Sequence, residues 1–152
     1  MTDRATSTTL SYVLTLSIAT ILVGGLIIAG STFVEDRREQ VIRQELEVIG
    51  EHIAGNIDQV DRYASASDDL STARVEQTFP DDVTGSTYDV KLVPGGGDPT
   101  LFLNSTRPAV SVSVDVTTTA SVSSDTAAGG GTIVVRCVVS GGDCTEVELT
   151  NA

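Results

Sequence analysis

The chain has 152 residues and a formal net charge of −12, with nine basic against 21 acidic residues, three tyrosines, three phenylalanines and no tryptophan. Binding nucleic acid requires clustered Lys and Arg to neutralise phosphates; one lysine and eight arginines scattered along the chain exclude it. A surface this acidic repels itself in ordinary salt and is screened over a few Å in concentrated salt, so the composition reads as that of a halophile's extracellular protein. Charge-driven disorder is the competing reading, and the apolar alternation of the second half argues against it.

The first element is "RATSTTLSYVLTLSIATILVGGLIIAGSTFV", in which no charge interrupts Ala5 to Val34. About 20 apolar residues already cross the hydrocarbon core of a bilayer as a helix, so this run is long enough to span. A cleaved secretory signal has an apolar stretch of roughly 7 to 15 residues followed by a small-x-small site; here the stretch is longer and "LIIAGSTFV" offers only a weak site.

Downstream, Val34, Ile42, Leu46, Ile49, Ile53, Ile57 and Val60 recur at spacings of mostly three and four, one face of a helix. Val41 and Val48 widen that stripe, and Glu39 and Arg43 take the four-residue charge spacing on the outer surface. Gly50 and Gly55 each weaken the helix by roughly 1 kcal/mol relative to Ala. The first proline is Pro80, so the apolar and amphipathic halves are expected to form one helix from about Thr6 to about Tyr63, about 85 Å long. Packing on the chain's own domain and a short coiled coil are both open; the stripe is too irregular for a clean heptad repeat, which favours packing against a sheet or several neighbours over a two-stranded seam.

Near residues 64 to 72 the pattern changes to alternation. "ARVEQTF", "STYDVKLV", "TLFLN", "AVSVSVDVTT", "TIVVRCVV" and "TEVEL" read as strands, broken by "PDDVTG", "PGGGDP" and "AAGGG". Val110 to Val116 is the cleanest, valines on one face and Ser111, Ser113 and Asp115 on the other. The expected fold is α+β: a long hydrophobic-then-amphipathic helix followed by a small antiparallel sheet or sandwich head. So small a β core is marginal by itself, and the helix stripe is expected to complete it.

Cys137 and Cys144 flank "VVSGGD", with no further cysteine to complete a metal site, which favours a disulfide. The eight-residue ring contributes about 2.5 kcal/mol by the chain-entropy relation. A tight turn at Gly141 and Gly142 would oppose Cys137 with Glu146 and leave Cys144 offset, so the bridge needs a wider loop or a bulge. "NST" at Asn104 fits the N-glycosylation pattern. Sequon and cysteine pair place the head outside the cell. Arg37 and Arg38 behind the apolar run, against Arg4 and the amino terminus before it, point the other way by one or two charges; the cysteines and sequon are given the greater weight.

Catalysis finds little support. The single histidine, His52, flanks the apolar stripe as a partly solvated side chain. Gly95 to Gly97 and Gly129 to Gly131 lack the Lys-Ser/Thr of a phosphate loop and read as flexible turns. Asp81 with Asp82, and Asp68 with Asp69, read as solvated turn carboxylates, there being no EF-hand pattern. No catalytic residue, metal site or cofactor is assigned.

"RATSTTLSYVLTLSIATILVGG" resembles the class III signal and assembly helix of archaeal type IV pilins, and more closely the pilin-like proteins of haloarchaea. The resemblance covers roughly the first forty residues. In that family a leader ending in a basic residue and Gly or Ala is cut before the apolar helix on the cytoplasmic side, by a prepilin-type signal peptidase. Carried over, Arg4 and Ala5 end the leader and Thr6 begins the mature chain. The family's "SPVIG" has a partial counterpart in Ser7 to Ser11, where the Ser is kept, Thr8 replaces Pro and Ser11 replaces Gly. The domains implied are leader 1–5, transmembrane and assembly helix 6–34, amphipathic continuation 35–63, linker 64–72 and extracellular β-rich head 73–152. Ser17, Ala19, Thr20, Gly24, Gly25, Ala29 and Gly30 are small enough for close helix packing. The implied function is a major or minor subunit of a type IV pilus-like filament or secretion machine, partnered by other pilin-like subunits and, before assembly, by the membrane. The competing class is a single-pass anchored extracellular binding protein that does not polymerise; an anchored enzyme is third.

Overall fold

One helix, α1 (Asp3–Ser65), carries both the apolar run and the amphipathic stripe. The computed structural model describes residues 3–66, 70–95, 98–123 and 126–152, with side chains from Leu10 onward; Asp68, Asp69, Gly96 and Gly97 lie outside the described residues. The chain divides into two compact units, 1–38 and 39–152.

Among the described residues, nine strands follow the helix: β1 (Thr72–Thr78), β2 (Asp82–Val83), β3 (Ser86–Val93), β4 (Thr100–Thr106), β5 (Ala109–Asp115), β6 (Ser121–Val122), β7 (Ala127–Gly129), β8 (Thr132–Ser140) and β9 (Asp143–Asn151). One sheet has the order β1-β8-β9-β6, the other β2-β3-β4-β5 with β7 also on β3. The fold is therefore α+β, a long N-terminal apolar helix followed by a largely antiparallel β head. β6 is the exception, pairing parallel to β9 through Ser121↔Glu146 and Val122↔Val147.

Alternation decides which side of each strand is buried. In β3, Tyr88, Val90 and Leu92 point inward while Thr87, Asp89 and Lys91 face out. In β5, Val110 is buried and Val112 and Val114 half-buried, against exposed Ser111, Ser113 and Asp115. From the helix, Ile42, Leu46, Ile49, Ile53, Ile57, Val60 and Ala64 enter the same contiguous core. Stripe and inner sheet faces thus bury one another, which neither accomplishes alone. Gly50 marks the closest approach: a Cβ there would stand 2.8 Å from Val114 Cγ2 and 2.9 Å from Leu103 Cδ1.

Several local expectations are corrected. Val34, Val41 and Val48 do not join the core; they are exposed, and the buried part of the stripe begins at Ile42. Arg43 is exposed as expected and also donates through Nη1 to the Ser111 carbonyl at 3.4 Å, tying helix to β5; Asp58 and Arg62 form an ion pair at four-residue spacing. "PDDVTG" and "AAGGG" each contain a short strand, β2 and β7.

Gly129 to Gly131 are a packed junction, not a flexible turn. A Cβ on Gly130 would come within 2.3 Å of the Asp81 carbonyl oxygen. Asn151 accepts from the Gly129 amide at 2.9 Å and donates to the carbonyls of Gly129 and Gly130, both at 3.3 Å. Phe79 N donates to Gly131 O at 2.9 Å. Glycine is needed here because backbone lies against backbone.

Candidate functional site

The strongest chemical feature is the surface of α1 between Leu10 and Val34. Leu10, Leu14, Ile21, Leu26 and Ile28 are all more than 60 % exposed. An 18-residue window of the helix reaches a mean hydropathy of 2.3 with none of it buried. Water opposes such exposure by about 25 cal/mol for each Å² of apolar surface, whereas hydrocarbon or neighbouring apolar helices accept it.

The polar side chains within the run are compatible with hydrocarbon. Thr15, Ser17 and Thr20 donate their hydroxyls to the carbonyls of Ser11, Val13 and Leu16 at 2.9, 2.8 and 2.8 Å. Ser31 and Thr32 both donate to the Ile28 carbonyl, at 2.9 and 3.2 Å. Every one of these donors is satisfied within the helix, the condition for polar groups at membrane depth. Beyond them the Arg37 guanidinium lies 5.1 Å from the Phe33 ring centroid, a cation–π pair at the end of the run.

Gly24, Gly25 and Gly30 leave open notches: a Cβ at any of them would meet nothing within 4 Å. Arg4, Ala5 and Thr6 fall in the first turns of α1, and their side chains are outside the described residues.

Within the head, Cys137 and Cys144 form a disulfide with their Cα atoms 5.8 Å apart, within the usual range. The turn is the tight one, Gly141 and Gly142 both having positive φ, 66° and 84°. The offset it creates is taken up by a bulge: Val138 pairs with Glu146 and Val139 with Cys144, leaving Thr145 as the extra residue. Its hydroxyl donates to Val138 O at 2.9 Å.

Asn104 stands half-buried in the middle of β4. Its Nδ2 donates to Asp89 at 3.1 Å and its Oδ1 accepts from Ser111 at 2.8 Å. Ser105, the middle residue of the sequon, is buried against Ser86. Both hydrogen bonds of Asn104 engage its side-chain amide within the sheet.

A groove that sequence reasoning missed runs along the helix between Val41 and His52. It encloses about 720 Å³ and is walled opposite by Gln77, Phe79, Pro80, Asp82 and Val83. Val41 and Val48 are 41 % and 53 % exposed in it, and Asn56 donates to Gln77 at 2.7 Å. Helical periodicity put these valines on an apolar face; only β1 and β2 determine that the face is half covered. His52 is exposed on the rim, and no cluster of metal-ligating side chains occurs among the described residues. Asp82 accepts from the Gly85 amide at 3.0 Å, a turn carboxylate.

An α+β head continuous with a long apolar N-terminal helix defines a protein compatible with membrane anchoring. The chain belongs to a family of unknown function, DUF7266, whose sequence profile spans residues 1–150. No curated protein and no solved structure shows a significant match.

Proposed function

We propose that the protein is a structural subunit of an archaeal type IV pilus-like filament or of the related assembly machine, polymerising through the apolar half of α1. The observation that carries this reading is one uninterrupted helix, Asp3–Ser65, exposed and uncharged from Leu10 to Val34 and built into the head's core from Ile42 onward. A helix of that kind waits in lipid as a precursor and transfers the same surface to neighbouring helices on assembly. Cleavage after the leader-like Arg4 and Ala5 removes only the first residues of α1, so that its apolar run stays in the mature subunit, with the head outside the cell. The internally satisfied hydroxyls and the notches at Gly24, Gly25 and Gly30 support close packing of helices.

Peptide mass spectrometry of protein from its host tests the leader: the mature chain is expected to begin at Thr6. A chain beginning at Met1 or Thr2 points to a plain membrane anchor carrying an extracellular binding head, and one beginning after Ala29 to a secreted head.

A further inference from the structure

The head carries two surfaces that fit each other and cannot meet within one chain. The first is the groove beside α1, an apolar floor of Val41, Val48, Phe79 and Val83 with the carboxylates Glu45 and Asp82 on its walls. The second is the outer face of the β3-β4-β5 sheet. There Lys91 pairs directly with Phe102, and Phe102 with Ser113, so their side chains share one exposed row. Phe102 is 39 % exposed, and Lys91 is the only lysine of a chain with net charge −12. Its neighbour on the same face, Asp89, already accepts from Asn104.

α1 packs on the inner face of this sheet, where Gly50 meets Val114 and Leu103; Lys91 and Phe102 face the opposite way. Only a second copy brings the row to the groove. We propose that Phe102 of one subunit enters the groove of the next, with its Lys91 ammonium against Glu45 and Asp82, so that heads join head to tail. This rests on the filament reading and names the contact between heads. The two patches are different surfaces, so the contact is heterologous, and it propagates as an open filament where the rotation between successive heads does not close a ring. A ring edge on an apolar floor supplies attraction that salt does not weaken, and the single cation meeting two carboxylates sets orientation in a chain otherwise self-repelling.

A single lysine makes the test specific. Zero-length carbodiimide coupling of sheared filaments joins an amine to a touching carboxylate, and mass spectrometry reads the pair. The expected product is a dimer-sized species with an amide between Lys91 and Glu45 or Asp82. Lys91→Arg should keep filaments at parental abundance and lose that product. Lys91→Glu should accumulate in the membrane as the parent does but vanish from filaments, and Lys91→Glu with Glu45→Lys should restore them. If the parent is in filaments but the amide is absent, maps to other carboxylates between chains, or Lys91→Glu assembles normally, the head contact is wrong while the filament reading stands. If the parent never leaves the membrane and couples only within monomers, both fall.

Discussion

At residue scale, two glycines of one helix carry opposite expectations. Both weaken α1 through backbone entropy, yet Gly50 faces Val114 and Leu103 at under 3 Å from a built Cβ while Gly55 is exposed and faces nothing within 4 Å. Gly55→Ala should therefore raise the stability of the fragment from Glu35 onward by about 0.5 to 1 kcal/mol, whereas Gly50→Val should lower it by about 1 to 3 kcal/mol through overpacking. Urea midpoints of the two variants would check the sign of each. Tyr88 makes the second prediction at this scale. It is buried, donates to the Pro80 carbonyl at 2.9 Å, and burial together with the Asp81 charge pushes its phenol up to about 12. A group whose folded pKa is raised keeps its proton longer when folded, so its contribution is whole below pH 10 and is lost as pH climbs from 10 towards 12, by about 2 kcal/mol. Tyr88→Phe lacks that dependence. It should start about 1 kcal/mol less stable at pH 8, where it leaves the carbonyl without its donor, and should draw level or overtake at pH 11 to 12. Parallel slopes for the two proteins would show that Tyr88 does not titrate in this window.

At the scale of elements, the dependence between helix and sheets is the main energetic fact. Ile53 and Ile57 are completely buried and belong to the same core as Leu101, Leu103 and Leu149. An unpaired carboxylate placed among them costs several kcal/mol, comparable to the whole stability of a small domain. Either Ile53→Asp or Ile57→Asp should unfold the fragment from Glu35 onward, seen as loss of a cooperative urea transition. Variants that keep the parent's midpoint would mean that the stripe is not part of the core. Much of this element scale was legible beforehand. The spacing from Ile42 to Val60 identified the stripe, and β-branched alternation located six strands to within two or three residues. The short strands were not legible: Asp82–Val83 and Ala127–Gly129 are too brief to show a period, and both exist because β3 offers them its free edge.

At the scale of the whole molecule, Gly24 and Gly25 separate a filament from an anchor. Lipid chains adapt to any helix contour, so Gly24→Leu with Gly25→Leu should leave membrane insertion intact and raise apolarity. In a filament the notches lie against neighbouring backbones, and two bulky side chains would force helix axes apart at every repeat. The double variant is expected in the membrane fraction at parental amount and missing from sheared filaments. Immunoblots and electron microscopy of both fractions measure this, and filaments at parental abundance would rule out close packing at the pair.

The long helix, its uncharged run from Ala5 to Val34, the α+β class and the cysteine pairing were determined by local sequence, because helical period, apolar length and the absence of proline act within a few residues of one another. The bulge at Thr145 was anticipated as one of two solutions, and the β8–β9 register selected it. Tertiary structure alone decided three things. It left Val41 and Val48 outside the core, because β1 and β2 cover that side of the helix only in part. It turned Gly129 to Gly131 from an expected flexible turn into a junction, because Asp81 and Asn151 arrive there from distant parts of the chain. It also set Lys91 beside Phe102, eleven residues apart in sequence, on one exposed row. Each depends on which segments meet across the sheets, and periodicity within a single segment carries no record of that meeting.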